Sequence, residues 1–534
     1  MAASITILSA QINPTVGAIV ANTEKIIKII RQDQDAHDVI IFPELVVTGY
    51  PPEDLLLRPN FHSAVEQALR KIKDCTNNCY VIVGHPDKIA KDYFNAASVF
   101  FQQTRIATYH KQCLPNYGVF DELRYFTPGK AAPCILTING YRFGLCICED
   151  IWHPTLVVTQ LVSAKVNAIF CLNASPFDYN KQIQRENILK NLARQGIATI
   201  YVNQVGGQDE LVFDGQSMVV SAAGKICARA PAFEENLQSL AFTEEEISGV
   251  ITPCLDFAPL IYKALVCGTY DYVRKNGFSQ VLLGLSGGVD SALTLAIAVD
   301  ALGAENVHAL FMPSRYTSNM SYQDVKSQAA MLAVRCTTLS IEQGFKTLVN
   351  TLAPLFAQLP IDQTEENIQA RIRAILLMAV ANKTNKIVLT TSNKSEIAIG
   401  YSTLYGDLAG AFAVLKDVLK TQVYVLANYR NTKSKVIPVR VLTRPPSAEL
   451  RAGQTDQDNL PTYHIIDAII HGYVENNLAA IDLIKNGYSS LEVEKIINLI
   501  ITNEYKRRQA PPGIKISPRA FDKDWRWPIT SFFR

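Results

Sequence analysis

Charge of one sign is what this chain most clearly lacks. Its 51 lysines and arginines stand against 49 aspartates and glutamates, a formal net charge of +2. A broad basic face for neutralising phosphates is therefore missing, and no nucleic-acid partner is expected. Long apolar runs are missing too. No stretch of about 20 apolar residues is present to cross a bilayer, so no membrane partner is expected. The opening residues, Met1-Ala2-Ala3-Ser4-Ile5-Thr6, lack the basic flank and apolar segment of a secretory leader. The 11 cysteines are scattered, as reduced thiols are, without the dense spacing of a disulfide framework. These features together predict a cytoplasmic location. Cys75 and Cys79, like Cys146 and Cys148, are close-set but have no neighbouring Cys/His partners for zinc. Internal repeats and low-complexity tracts are absent.

What is present is a globular composition, 48% hydrophobic and 19% charged, over 534 residues. That length allows two to four domains. In the first half, short apolar runs alternate with helical periodicity. Strands are predicted at 5–12, 38–42, 80–83, 97–101, 142–148, 168–172 and 198–202, and helices at 23–34, 61–75, 155–165 and 181–195. This spacing predicts a layered α/β domain. An acidic stretch over 233–248, with Glu234, Glu235, Glu244, Glu245 and Glu246, reads as the approach to a linker. A second α/β pattern starts near residue 256, with strands predicted at 281–285, 307–311, 337–341 and 387–390. Helices alternate with them, which predicts a parallel sheet with ligands at the strands' C-terminal ends. The stretch 460–534 has helical patterns and a proline-rich tail.

The most informative segment is Ser286-Gly287-Gly288-Val289-Asp290-Ser291, between an apolar strand pattern and an apolar helix pattern. A glycine turn there aims backbone N–H groups and a helix N-terminus at one small volume, which suits a phosphate. Asp290 would repel that phosphate unless a cation lay between, so it is a candidate magnesium ligand. The motif lacks the Gly-Lys-Ser/Thr ending of the Walker loop. It resembles the loop of the ATP pyrophosphatases, which split ATP between its α and β phosphates.

Three segments of the first half each carry one reactive residue near a strand end. They are Glu44 in Phe42-Pro43-Glu44-Leu45, Lys111 in His110-Lys111-Gln112-Cys113, and Cys148 in Cys146-Ile147-Cys148-Glu149-Asp150. A thiol needs a base to become a nucleophile and a cation to hold the thiolate. Singly, such residues are usually a core thiol and surface charges. The trio in this order resembles the Glu–Lys–Cys triad of the nitrilase superfamily, whose members hydrolyse amides or nitriles through a thioester. The resemblance implies an αββα sandwich, with Glu44 as base, Lys111 as oxyanion stabiliser and Cys148 as nucleophile. Strand alternation puts Cys146 and Cys148 on one face and does not separate their roles. By the same resemblance Glu122 assists catalysis, Tyr117 is a glutamine-side aromatic, and Ser175 and Arg185 hold the glutamine.

Downstream, Asn367 and Arg371 are four apart and share a helix face. Thr391 and Glu396 follow a strand pattern, Asp407 ends Gly400-Tyr401-Ser402-Thr403-Leu404-Tyr405-Gly406-Asp407, and Lys420 and Ser447 come later. In this order the second half resembles the NAD+ synthetase family, and the whole chain its glutamine-dependent branch. Two positions depart from the family's usual pattern, Ser392 for glycine and Ala452 for proline.

The resemblance implies an α/β chain with an αββα nitrilase-like sandwich over 1–250. A Rossmann-like parallel-sheet domain, like the adenine-nucleotide α-hydrolases, would follow over 257–534. It implies that Ser286, Gly287, Gly288, Val289, Asp290, Ser291, Thr391, Lys420 and Ser447 hold ATP. Asn367, Arg371 and Asp407 would hold nicotinic acid adenine dinucleotide, and Asp290 and Glu396 would hold Mg2+. Glutamine would supply ammonia for ATP-dependent amidation of that dinucleotide to NAD+, releasing AMP, pyrophosphate and glutamate. The fusion predicts ammonia transfer without mixing into solvent, and the family predicts a homo-oligomer. ATP-dependent amidation of another carboxylate is the runner-up, and a nucleotide-binding sensor is an alternative of a different class.

Overall fold

A computed structural model describes residues 4–152, 156–243, 245–356, 359–458 and 460–531. The chain divides into two units, Met1–Leu255 and Asp256–Arg534.

The first unit is built on two sheets. The seven-stranded sheet runs Ile247–Ser248, Asn236–Phe242, Ile5–Gln11, Val39–Ile41, Tyr80–Ile89, Asp92–Phe101, Thr104–His110. The six-stranded sheet runs Ile226–Arg229, Met218–Val220, Ala198–Asn203, Ala168–Asn173, Tyr141–Ile147, Cys134–Ile138. Alternation explains how they stack. Ile5, Ile7, Val39, Ile41 and Ile82 of the first sheet share one core with Phe143, Leu145, Ile147, Phe170 and Ile200 of the second. The opposite face of the first sheet, including Leu8, Ala10, Ile40 and Val81, is covered by the helices Ile19–Asp33 and Pro59–Cys75. The opposite face of the second, including Cys146, Ile169, Cys171 and Tyr201, is covered by Leu156–Ser163 and Lys181–Ala193. The layers are thus αββα. Phe143 stacks on Phe170 with ring centroids 4.4 Å apart, and truncating either ring would cost about 3–5 kcal/mol.

Three sequence expectations need correction. The stretch 233–248 is not a linker approach. It contains the strand Asn236–Phe242, paired antiparallel with Ile5–Gln11 in the register Ile5↔Phe242. Leu240 and Phe242 enter the core while Leu237 faces out, and the cluster of glutamates masks that alternation. The strand expected at 142–148 ends at Ile147, because Cys148 turns into a short 3-10 helix, Cys148–Ile151. Thr104–His110 and Cys134–Ile138, which the apolar pattern does not mark, are edge strands with half-exposed residues. The start of the helix expected at 155–165 lies outside the described residues; its described part is Leu156–Ser163.

The second unit holds a five-stranded sheet in the order Arg335–Thr338, Val307–Phe311, Val281–Gly284, Ile387–Thr390, Phe412–Ala413, with every pairing parallel. The edge strand Arg335–Thr338 replaces the expected 337–341, since its partly exposed residues carry little apolar signal. The helix Val289–Leu302 follows the central strand and is apolar nearly all round, with Ala292, Leu293, Leu295, Ala296 and Ile297 buried. It packs between the sheet and the helices Phe257–Lys275 and Lys420–Lys433. A helix buried on all sides fixes its N-terminus firmly, and that N-terminus is where the Ser286–Ser291 motif lies.

Candidate active sites

In the first unit, Glu44, Lys111 and Glu122 meet inside the fold. Lys111 Nζ lies 2.7 Å from Glu44 Oε1 and 2.9 Å from Glu122 Oε1. Glu44 also accepts from Asn95 Nδ2 at 2.7 Å and from the Ala174 N–H at 2.9 Å. Tyr50 donates its hydroxyl to Glu122 Oε1 at 2.9 Å, while Glu122 Oε2 is buried with no hydrogen-bond partner. Gly84 permits the approach of the Glu44 segment: a Cβ there would lie 2.8 Å from the Glu44 Cα and 2.5 Å from the Leu45 nitrogen.

Burial pushes the Glu122 carboxyl up to about 7, with Lys111 pulling it down and Glu44 pushing it up. Burial acts to neutralise Lys111, but Glu122 and Glu44 override it and hold the ammonium charged. Cys148 faces the same group. Burial and then Glu44 raise its thiol well above the ordinary range, and Lys111 opposes them. The Cys148 thiol is therefore held protonated near the Lys111 ammonium, an arrangement open to activation by a base.

The structure separates Cys146 from Cys148. Cys146 is fully buried on the helix-covered face of its sheet. Cys148 lies past the strand's end with φ 41°, so alternation no longer applies to it, and it joins the core between the sheets. Tyr117 is exposed, and its hydroxyl donates to Glu149 Oε1 and Oε2 at 3.0 and 3.2 Å. Arg185 is fully buried. Its NH1 is bidentate on Asp214 at 2.8 Å to each oxygen, and its Nε donates to Ser175 Oγ at 3.2 Å. Arg185 therefore fixes Ser175 and Asp214.

In the second unit, the loop Ser286–Ser291 is held by its own hydroxyls. Ser286 Oγ and Ser291 Oγ are 3.0 Å apart, Gly288 N donates to Ser286 Oγ at 3.2 Å, and Ser291 Oγ donates to Gly288 O at 3.0 Å. Gly287 has φ 85°, a conformation that favours glycine, and it packs close to Ser321. Arg444 donates to the Gly287 carbonyl and to Ser321 Oγ, pinning the loop from behind.

Lys420 Nζ lies 2.6 Å from Asp290 Oδ2 and 3.0 Å from Glu396 Oε1, and Asn393 Nδ2 donates to Asp290 Oδ1 at 2.8 Å. Burial pushes Glu396 up to about 7, with Lys420 opposing it and Asp290 adding to it. A cleft of about 790 Å³ opens at the C-terminal ends of the strands, lined by Ser286, Asn367, Thr391 and Asp407. That is ample for a nucleotide. Asn367 Oδ1 accepts from Thr403 Oγ1 at 2.8 Å, and Asp407 Oδ1 accepts from the Thr403 N–H at 2.6 Å. Arg371 donates to the Leu404 carbonyl at 3.2 Å, and Ser447 Oγ donates to the Gln454 carbonyl at 2.6 Å. Neither Arg371 nor Ser447 lines the cleft.

The two halves match different family models, carbon–nitrogen hydrolase over residues 6–250 and NAD synthase over 261–510. One relative spans both. The glutamine-dependent NAD(+) synthetase of Acinetobacter baylyi is 45% identical over 539 residues, covering 99% of each chain. This chain belongs to the glutamine-dependent NAD(+) synthetase family. The corresponding protein of Xylella fastidiosa is also 45% identical, over 545 residues and 100% of each chain. A solved glutamine-dependent NAD+ synthetase from Acinetobacter baumannii, in complex with ADP, is similar at 43% identity with a TM-score of 0.81, covering 99% of this chain and 98% of that one.

Within the synthetase family's two-part layout, the sequence reading missed the residues that support the motifs. Asn95 and Tyr50 hold the carboxylates of the first site, yet each stands in a strand or loop with no motif of its own. Arg373 and Lys506 line the cleft of the second. Arg373 is two residues from Arg371 and so on another helix face, where the shared-face reading does not look. Lys506 lies in Glu504–Arg507, about a hundred residues beyond Asp407, with no local signal. Among the described residues, no cluster of three or more His, Cys, Asp or Glu side chains is arranged for a metal ion, and no helix is long and apolar enough to cross a membrane.

Proposed function

We propose that the chain is a carbon–nitrogen ligase, the glutamine-hydrolysing NAD+ synthase, with a glutaminase module over 1–250 and a synthetase module over 257–534. The observation that carries this reading is that each unit holds its own complete set of reactive groups. Lys111 sits between Glu44 and Glu122 beside Cys148 in one, and Lys420 sits between Asp290 and Glu396 beside a phosphate-type loop in the other.

In the glutaminase, Glu44 takes the Cys148 proton as sulfur attacks the side-chain amide carbon of glutamine. Lys111 faces the oxygen that becomes negative and stabilises it. The proton passes to the departing nitrogen, ammonia leaves, and a thioester remains. Water then cleaves the thioester to glutamate and restores the thiol. Glu122 holds Lys111 in place and, near neutral pH, can take or release a proton itself. Tyr117, with Ser175 fixed by Arg185, forms the glutamine-holding side.

In the synthetase, ATP lies with its phosphates on the Ser286–Ser291 loop and the N-terminus of Val289–Leu302, with Thr391 and Ser447 as further contacts. Asn367, Arg371 and Asp407 hold nicotinic acid adenine dinucleotide. Its carboxylate oxygen attacks the α phosphorus, the bond to pyrophosphate breaks, and Lys420 neutralises charge on the leaving group. Ammonia then attacks the activated carbonyl, giving the amide of NAD+ and releasing AMP. Asp290 and Glu396 fit Mg2+ as a pair, since that ion takes one or two carboxylates and completes its shell with phosphate oxygens and water. When bound, it would spread the charge of the leaving pyrophosphate. The proposal includes a cytoplasmic location and a homo-oligomeric state.

The test is product analysis by mass spectrometry with nicotinic acid adenine dinucleotide, Mg-ATP and amide-labelled glutamine. Labelled NAD+ with AMP and pyrophosphate is the expected result. Glutamate without NAD+ would redirect the synthetase assignment to another carboxylate.

A further inference from the structure

Asp150 is fully buried, and its two oxygens are saturated by donors from two distant segments. Oδ1 accepts from the Gln112 N–H at 3.1 Å and the Cys113 N–H at 2.9 Å. Oδ2 accepts from the Ile147 N–H at 2.9 Å and from the Tyr109 hydroxyl at 2.7 Å. The positions of these donors are informative. Tyr109 and Gln112 flank Lys111 on either side, and Ile147 immediately precedes Cys148. A satisfied core aspartate capping its own turn would account for the Ile147 bond alone. The three bonds reaching back to residues 109–113 go beyond that.

We propose that Asp150 is a positioning residue of the glutaminase, a single carboxylate that fixes the backbone around Lys111 against the backbone around Cys148. This rests on the reading of Lys111 and Cys148 given above. A carboxylate accepts about four hydrogen bonds, and Asp150 already receives four. It has no capacity left to take a proton from substrate or thiol, so it acts through the residues it holds. Two further backbone bonds hold Lys111. Lys111 N donates to Asn95 O, and Gly129 N donates to Lys111 O, both at 2.8 Å. Those two bonds fix Lys111 to its own side of the site but not to the thiol.

The test is Asp150→Asn, which keeps size and one acceptor while placing an amide N–H group against an N–H donor. The readout is the rate of Cys148 alkylation by iodoacetamide, followed at that residue by peptide mass spectrometry from about pH 6 to about pH 10. Misplacing Lys111 removes its support for the thiolate. The alkylation rate should fall about tenfold at each pH below the thiol's midpoint, as a shift of about one unit requires. The kcat for glutamine should fall in step, with KM changed less than about threefold. A role limited to negative charge predicts the opposite sign, because removing a neighbouring carboxylate favours the thiolate. Loosened packing also predicts faster alkylation, through exposure. Alkylation that is unchanged or faster therefore overturns the proposal.

If Asp150→Asn does not fold, Tyr109→Phe removes one of the four donors. It should slow alkylation by about threefold, and no change would overturn the proposal equally. Cys148→Ala run alongside separates the two readings. If that variant still hydrolyses glutamine, the assignment of the nucleophile fails. If it does not, and Asp150→Asn alkylates normally, only the clamp fails.

Discussion

Both units place one lysine between two carboxylates, and the two clusters differ in how far those carboxylates are closed from water. Around Lys111 the cluster is sealed, with the side chains of Lys111, Glu44 and Glu122 exposed by 1%, 1% and 5%. Around Lys420 the lysine is equally hidden at 3%, but Asp290 and Glu396 are exposed by 16% and 17%. The sealed cluster suits covalent chemistry by a thiol, in which charge is created and discharged without ions entering. The half-open cluster suits a polyphosphate, because its carboxylates can turn from the lysine to a cation brought in with the nucleotide. The same three charges serve as a fixed environment in one place and as an exchangeable one in the other.

The sharpest way to break this comparison is to disable one site and read the other. Cys148→Ala should lower NAD+ formation from glutamine by at least about 10⁴-fold. Formation from added ammonium should stay within about twofold, measured in parallel assays. Loss of both would mean that the two clusters do not divide the work. Next, Asp290→Asn should lower synthesis from either nitrogen source by about 10²–10³-fold, while glutamate release from glutamine continues.

Removing the lysines tests the sealing directly. Lys111→Met strands two buried carboxylates and should cost about 3–5 kcal/mol in denaturant unfolding. Lys420→Met, whose partners can reach water, should cost about 1–2 kcal/mol. Equal losses would erase the distinction.

The smallest effect is a pH slope. The native Glu122 carboxyl lies near 7, above its unfolded value. Between about pH 4.3 and 7 the native state therefore keeps a proton that the unfolded chain has lost, and stability falls as pH rises through that window. Glu122→Gln should lack this slope, a difference of about 1–3 kcal/mol across the window. Identical pH–stability curves would show that Glu122 titrates at its ordinary value.

The motifs were legible in the sequence because their chemistry is local. Ser286–Ser291 carries its glycines, hydroxyls and helix start in six consecutive residues. Strands were legible where they are buried on both faces, as in 168–172 and 198–202, while the αββα layering came with the family resemblance. Edge strands such as Arg335–Thr338 and Thr104–His110 were not, since half their residues face water and break the apolar run. The preference for Cys148 over Cys146 rested on the family's Cys-Glu-Asp order and not on periodicity. Periodicity presumes that the strand continues, and the chain leaves the strand at the residue that matters. Asn95, Tyr50 and Asp150 act across 51, 72 and up to 41 residues of sequence, a separation at which only the fold brings partners together.

The left-handed backbone at Cys148, φ 41°, has a consequence for how the enzyme ages under mutation. A non-glycine residue held there carries strain of order 1 kcal/mol, and glycine would carry almost none. Glycine would relieve that strain but lose the packing of a thiol buried between the sheets, so the two effects offset and mutation at this position loses the thiol for little gain in stability.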